Sequence, residues 1–187
     1  MNALTKQYKD AALSINKTTV LVNAGGIAAF DKLLAMIADE ACTLQEFISV
    51  VDKYEDDNIA EGKSAAKAHK VKAQADKMDS DDGVPDSLKE LETMLRSMRE
   101  SHMDKVDLDF ENENVKKELS CRGAAKAIKT ALYMVSTIQD EKGSVKGAEL
   151  YANWKEHIGA SLKAWVKLYA NEHAECLARV KQLTAEG

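Results

Sequence analysis

The chain has 187 residues, of which 45% are hydrophobic and 30% charged, a composition typical of a folded globular protein. This length suits a single domain whose core needs neither disulfides nor a structural metal. The formal charge is −5, which argues against nucleic acid as a partner, since phosphate binding calls for a basic excess.

The first predicted element is a helix over residues 3–22, because Leu4, Tyr8, Ala11 and Ile15 recur at spacings of three and four. We expect the run from Asn23 to Gly26 to break this helix, since two glycines disfavour helical backbone. Residues 1–25 are therefore interpreted as an N-terminal arm that could oligomerise. Residues 26–187 are interpreted as the bundle domain.

Apolar periodicity predicts a second helical stretch from Ile27 to Tyr54. Within it, Thr43 and Glu46 have the spacing of a capping box, in which each side chain bonds the other residue's backbone amide, so a kink or short break is expected there. Residues 58–78 are rich in alanine and lysine and should also be helical. The segment 79–85 contains the only proline, Pro85, and is predicted to be a loop.

The remaining predicted helices cover residues 88–98, 115–138, 145–158 and 161–183, with an acidic stretch at 107–114 and a break at Gly143. No segment shows the apolar–polar alternation of a strand. The sequence therefore predicts an all-α fold, an antiparallel bundle of about six helices.

Three features bear on compartment. Cys42, Cys121 and Cys176 are odd in number and widely spaced, which suits reduced thiols. No apolar run approaches the length of about 20 residues that a membrane span needs. The N-terminus lacks the charged-then-apolar pattern of a signal peptide. We expect a cytoplasmic protein without a membrane span.

Candidate sites for ions and catalysis are weak. Residues 79–90 resemble a calcium loop, but glycine and proline stand at the wrong positions, so a solvated loop is favoured. His173 and Cys176 share a helix face, with His157 as a third candidate ligand, yet this pattern alone does not indicate zinc. No nucleophile or phosphate-loop motif is present. We expect no enzyme activity, no cofactor and no metal.

Two surface features leave alternatives open. Lys63, Lys67, Lys70 and Lys77 line one face of a helix, which indicates either a solvated face or a docking face for an acidic partner. The C-terminal aromatic residues indicate either core packing or an interface. They are Tyr151, Trp154, Trp165 and Tyr169.

Several short motifs in the C-terminal third resemble one family. The run from Gly147 to Asn153 reads GAELYAN, residues 165–169 read WVKLY, and Lys181 and Gln182 follow. In this order they are similar to the N-terminal helical domain of the cyclase-associated proteins. The segment from Met98 to Glu100 and the Leu119-Ser120 pair resemble the same family. Its proline-rich loop is replaced here by residues 138–143, and its final glycine-containing segment is shortened to residues 183–187.

The resemblance implies an actin-regulatory binding module that cooperates with cofilin in filament disassembly and monomer recycling. It implies a cytoskeleton-associated location, homo-oligomerisation through the leading helix, and adenylyl cyclase as a further partner. Arg99, Glu100, Lys181 and Gln182 match the family pattern and become the expected partner-binding residues. The alternative is a helical adaptor or scaffold that binds an unrelated protein.

Overall fold

The structure of the chain, a computed structural model, describes residues 3–78 and 108–185, with side chains over 6–70 and 108–185. These ranges contain five helices and no strand, so the all-α prediction is confirmed. The helices are α1 (Ala3–Ala38), α2 (Leu44–Met78), α3 (Glu113–Asp140), α4 (Val145–Ala152) and α5 (Trp154–Ala185).

The corner between α1 and α2 is built by the predicted capping box. The Thr43 hydroxyl accepts from the Glu46 amide at 3.2 Å, and the Glu46 carboxylate accepts from the Thr43 amide at 2.8 Å. These bonds satisfy amides that the first turn of α2 would otherwise leave without partners. They also lower the pKa of Glu46 through stabilisation of its charged form, the backbone bond from Thr43 contributing most. The predicted short break here is confirmed.

The predicted break at Asn23–Gly26 is wrong, because α1 continues through it without interruption. The glycines are needed for packing. A Cβ built at Gly25 would come within 2.6 Å of the Ser120 backbone on α3, and one at Gly123 would lie 2.7 Å from the Val22 carbonyl carbon. Two helix backbones therefore touch at this crossing, and any larger residue would separate them. The proposed boundary between an arm and a bundle at residue 25 stays a prediction, although α1 is continuous across it.

Helix α1 lies between α3 and α5, and α2 packs on α3. Lys155, at the start of α5, donates to the carbonyl oxygen of Glu40 at 3.0 Å, whereas His173, further along α5, contacts the carbonyl oxygen of Val20. Helices α1 and α5 therefore run in opposite directions. On the other side of the molecule, the Asn58 amide of α2 donates to the carbonyl oxygen of Cys121 at 2.9 Å, a buried bond between α2 and α3.

The core sits at the end of the bundle where α1, α2, α3 and α5 meet. Its largest fully buried side chains include Phe30, Phe47, Leu33, Ile128 and Leu162. Burying each such side chain contributes about 1.5–3 kcal/mol, so this cluster is the main source of stability at that end. The other half of α1 and α5 extends beyond it.

The boundaries in the C-terminal half differ from the predicted ones. The break at Gly143 is confirmed, with Ser144 as the N-cap of α4. The next break falls at Asn153, so α5 begins at Trp154, and Gly159 lies inside a continuous helix. A Cβ at Gly159 would sit 3.6 Å from the Ile37 side chain on α1, an ordinary van der Waals contact, so the packing of α5 on α1 has room for alanine there.

Because α1 is one continuous helix, its length and apolar composition must be considered over the whole helix. Its segment Lys6–Ala38 is long and apolar enough to cross a membrane by length and composition, and 33% of the apolar window is buried inside the structure. Sequence reasoning missed this stretch because it divided the helix at the glycines. Core helices pass the same test, so the absence of a membrane span stays a prediction.

Three predictions lie outside the described residues. They concern the calcium-like segment 79–90, the helix at 88–98 and the Lys77 side chain.

Candidate protein-binding surface

The structure places two of the four expected partner-binding residues. Arg99 and Glu100 lie outside the described residues. Lys181 is exposed on α5, and Gln182 beside it accepts a hydrogen bond from Arg179 at 2.6 Å. Both lie near the C-terminal end of α5, far along the helix from the core. Their exposure leaves them accessible to a partner.

The C-terminal aromatic residues divide between core and surface. Trp154 is buried and its ring packs at 5.3 Å from that of Phe47. Tyr169 is half-buried with its edge against Phe30 at 5.5 Å. Trp165 and Tyr151 are exposed, at 38% and 42%. Core packing is therefore confirmed for Trp154 and in part for Tyr169, whereas the use of the exposed Trp165 and Tyr151 at an interface stays a prediction.

The exposed aromatic surface on α5 is extended by an aliphatic neighbour. Trp165 stacks edge-on against Tyr169 at 6.1 Å, which holds its ring in one orientation. Leu168, one turn away, is 54% exposed. We call Trp165, Leu168 and Tyr169 the α5 aromatic patch. A preoriented tryptophan beside an exposed leucine offers a contact area that needs little ordering on binding.

A groove of about 620 Å³ runs between α1 and α5 near the α1–α2 corner. Its lining includes small and aliphatic residues, among them Ala35, Ile37, Gly159 and Ala160. Charged residues of both signs also line it, namely Asp31, Lys155, Glu156 and Lys163. Sequence reasoning missed this groove because its residues come from two helices far apart in the chain. The alternation of small and charged residues at helical spacing in α5 was the available signal.

Lys181 and the α5 aromatic patch do not form one surface. Sixteen residues separate Lys181 from Trp165, which is about 24 Å along a helix and roughly 160° around it. Lys163, at the groove, is eighteen residues from Lys181, a whole number of turns, so these two lysines lie on the same side of α5. The expected contact residue therefore belongs with the groove side.

A polar cluster joins α2 to α3 beside the Asn58 bond. The His69 ring contacts the Glu118 carboxylate, which also accepts from Arg122. Burial raises the pKa of Glu118, but these two hydrogen bonds outweigh it and hold that pKa below its usual range. Burial also raises the pKa of the adjacent Cys121 thiol, so the thiol stays protonated at neutral pH. The arrangement clamps the two helices and provides no activated nucleophile.

The suggested metal ligands are not brought together. His173 bonds the Val20 carbonyl oxygen through Nδ1 at 3.1 Å, and His157 is exposed. Over residues 3–78 and 108–185, no group of three His, Cys, Asp or Glu side chains is placed to hold a metal ion.

Comparisons with known proteins leave the chain without a family assignment. No family model, no curated protein and no solved structure matches it.

Proposed function

We propose that this chain is a helical protein-binding module whose main contact surface is the α5 aromatic patch. The observation that carries the proposal is the exposure of Trp165 and Leu168 on a helix that packs mainly against α1. Tryptophan is enriched among residues that dominate binding energy, and a leucine one turn away widens the apolar contact. Helix α5 is held rigidly by α1, so the patch keeps its shape between the free and bound states.

Actin together with cofilin is the proposed partner pair. The basis is the resemblance of residues 147–187 to cyclase-associated proteins, with Lys181 and Gln182 on α5 as further contacts. In this proposal the whole chain is a cytoplasmic, cytoskeleton-associated antiparallel bundle of about six helices. Arg99 and Glu100 would add contacts, residues 3–22 would mediate oligomerisation, and adenylyl cyclase would be an additional partner.

The test measures the shortening of single cofilin-decorated actin filaments at each end, with and without the protein. We expect faster loss at pointed ends. Trp165→Ala should weaken filament binding about 30-fold, equivalent to about 2 kcal/mol for a central aromatic contact. Lys181→Ala should act independently, because its side chain lies on another side of α5.

The matched control is Val145→Ala, which truncates an aliphatic side chain that is 91% exposed on α4, away from both surfaces. It should leave filament shortening unchanged. Wild-type protein that is folded by circular dichroism yet changes neither end at about 10 µM, well above a micromolar Kd, would refute the actin proposal.

The second candidate is an adaptor that binds an unrelated protein. The groove between α1 and α5 favours it, because the small residues in its lining would let a partner helix approach closely. A partner that binds the wild-type chain and loses affinity on Ala160→Leu, at an exposed position that lines the groove, but not on Trp165→Ala, would identify the groove as the contact. Lack of any effect on actin filaments would then be expected.

A further inference from the structure

The solvent face of α2 carries its charges in two separate blocks. Asp52 and Asp56 occupy consecutive turns in its first half, and Lys63 and Lys67 occupy consecutive turns in its second half. All four side chains are exposed, and none forms an ion pair within the described part of the chain. Between the blocks lie Ile59 and Ala60, where Ile59 is 39% exposed.

The two blocks are arranged symmetrically about a point on the helix. The midpoint between Asp52 and Lys67 falls between Ile59 and Ala60, and so does the midpoint between Asp56 and Lys63. At 100° per residue these residues stay within about 60° of one line on the helix surface. A two-fold axis through that midpoint would place each aspartate of one copy opposite a lysine of another.

We propose that this α2 face binds a second copy of the chain, with the two α2 helices antiparallel. Such a contact is isologous, because the same patch is used by both copies and residue pairs are reciprocal. Asp52 would face the partner copy's lysine block, and the Ile59–Ala60 centre would meet its own symmetry mate. Opposite charges across the contact set its direction and speed its formation, while the small centre lets the helices approach closely.

Solvation and the helix dipole do not explain the pattern. Dipole effects are confined to the terminal turns, whereas Asp52 lies two turns inside α2. Asp52 with Asp56, and Lys63 with Lys67, are like charges at a spacing of four, which destabilises an isolated helix by about 0.2–0.5 kcal/mol per pair. A helix selected only for solubility would gain from the opposite arrangement, with acid and base alternating along the face. The exposed Lys53 lies about 70° from the centre of the face, just outside the acidic block, and the exposed Lys70 extends the basic block.

The size of the face predicts a weak contact. Residues 44–70 span about 40 Å of helix, and one helix face buries less than the roughly 1,200 Å² of stable complexes. We expect a dissociation constant in the micromolar range, with strong dependence on salt because the charges are at the surface. This inference does not depend on actin binding, and it is an alternative to self-association through residues 3–22.

The experiment measures the mass of the full chain by sedimentation equilibrium at about 50 mM and about 500 mM salt, on either side of the physiological screening range. The wild type should dimerise at low salt and dissociate at high salt. The double variants Asp52→Lys with Asp56→Lys, and Lys63→Asp with Lys67→Asp, should each weaken dimerisation at least tenfold, because each substituted block then faces a block of like charge in the second copy. Mixed in equal amounts, the two variants should form a heterodimer.

A matched control for the Asp52 and Asp56 variant is Asp140→Lys with Glu149→Lys, which changes the net charge by the same amount and sign at exposed positions on α3 and α4. It should dimerise like the wild type. Three results would each overturn the proposal: a folded wild type that is monomeric at low salt and about 100 µM, well above a micromolar Kd; a dimer that persists in both charge variants, which would place self-association elsewhere; or a mixture that stays monomeric.

Discussion

Replacing Gly123 by alanine tests whether α1 and α3 touch backbone to backbone. A Cβ at this position would lie 2.7 Å from the Val22 carbonyl carbon and 2.8 Å from the Gly26 nitrogen, closer than the 3.0 Å that real Cβ atoms keep. Because both obstacles are backbone atoms, no side-chain rotation relieves the overlap. The two helices must move apart by about 1 Å, which loosens the contacts on both sides.

The magnitude follows from two opposing effects. Alanine gains about 1 kcal/mol over glycine from helix propensity. Adding a methyl group to a tightly packed interior costs about 1–3 kcal/mol of stability. Because the added Cβ meets backbone atoms, we expect a cost at the upper end of this range. We expect Gly123→Ala to lower the free energy of unfolding by about 2 kcal/mol. For a chain of this size the melting temperature should fall by about 4–8 °C.

Urea unfolding followed by circular dichroism at 222 nm measures the effect, and Gly143→Ala is the matched control. A Cβ at Gly143 meets nothing within 4 Å, and its φ lies outside the left-handed region. The free energy of unfolding of that variant should exceed that of the wild type by no more than about 1 kcal/mol. The direction of the stability change in Gly25→Ala gives a second test. If Gly25 were a hinge, alanine would raise the free energy of unfolding. Because its Cβ would meet the Ser120 backbone, we expect alanine to lower it. A Gly123→Ala protein as stable as the wild type would refute the close crossing.

Three further predictions concern stability. Thr43→Ala should lower the free energy of unfolding by about 1 kcal/mol in the same urea assay, because the N-cap hydroxyl of α2 is lost; an unchanged midpoint would mean that the cap contributes nothing. Glu118 has a depressed folded-state pKa, so it stabilises the fold above its usual carboxyl range near 4.5, and that contribution is lost as the pH falls through its folded-state pKa. Glu118→Gln should therefore reduce stability at pH 7 and flatten its decline on acidification, and parallel pH profiles would count against the clamp with His69. Phe30→Ala should cost about 3–5 kcal/mol, since the side chain is fully buried, and a loss below 1 kcal/mol would contradict the assigned core.

Features that depend on contacts within one helical turn were predicted correctly from the sequence. The capping box at Thr43 and Glu46 joins atoms three residues apart, so its spacing in the sequence was sufficient. The helical assignment of 115–138 also needed only periodicity, and the observed helix extends it by two residues at each end. These elements depend on contacts within one turn.

The candidate surface was accessible to sequence reasoning only in part. Trp154 and Trp165 are the same residue type on one helix, yet one lies against Phe47 and the other faces solvent. Which of them is exposed depends on the neighbours of α5 at each level of the bundle. The groove likewise needs Ala35 and Ala160, whose proximity no local pattern predicts.

The sequence by itself determined that the chain is helical and where several helices begin, because these properties arise from propensity and contacts within a turn. Only the tertiary structure decided that Gly25 and Gly26 continue a helix. Glycine lowers helix propensity by about 1 kcal/mol, and a local reading of that loss predicts a break. The close approach of α3 at Ser120 and Gly123 offsets the loss, because only residues without a Cβ allow the two backbones to meet.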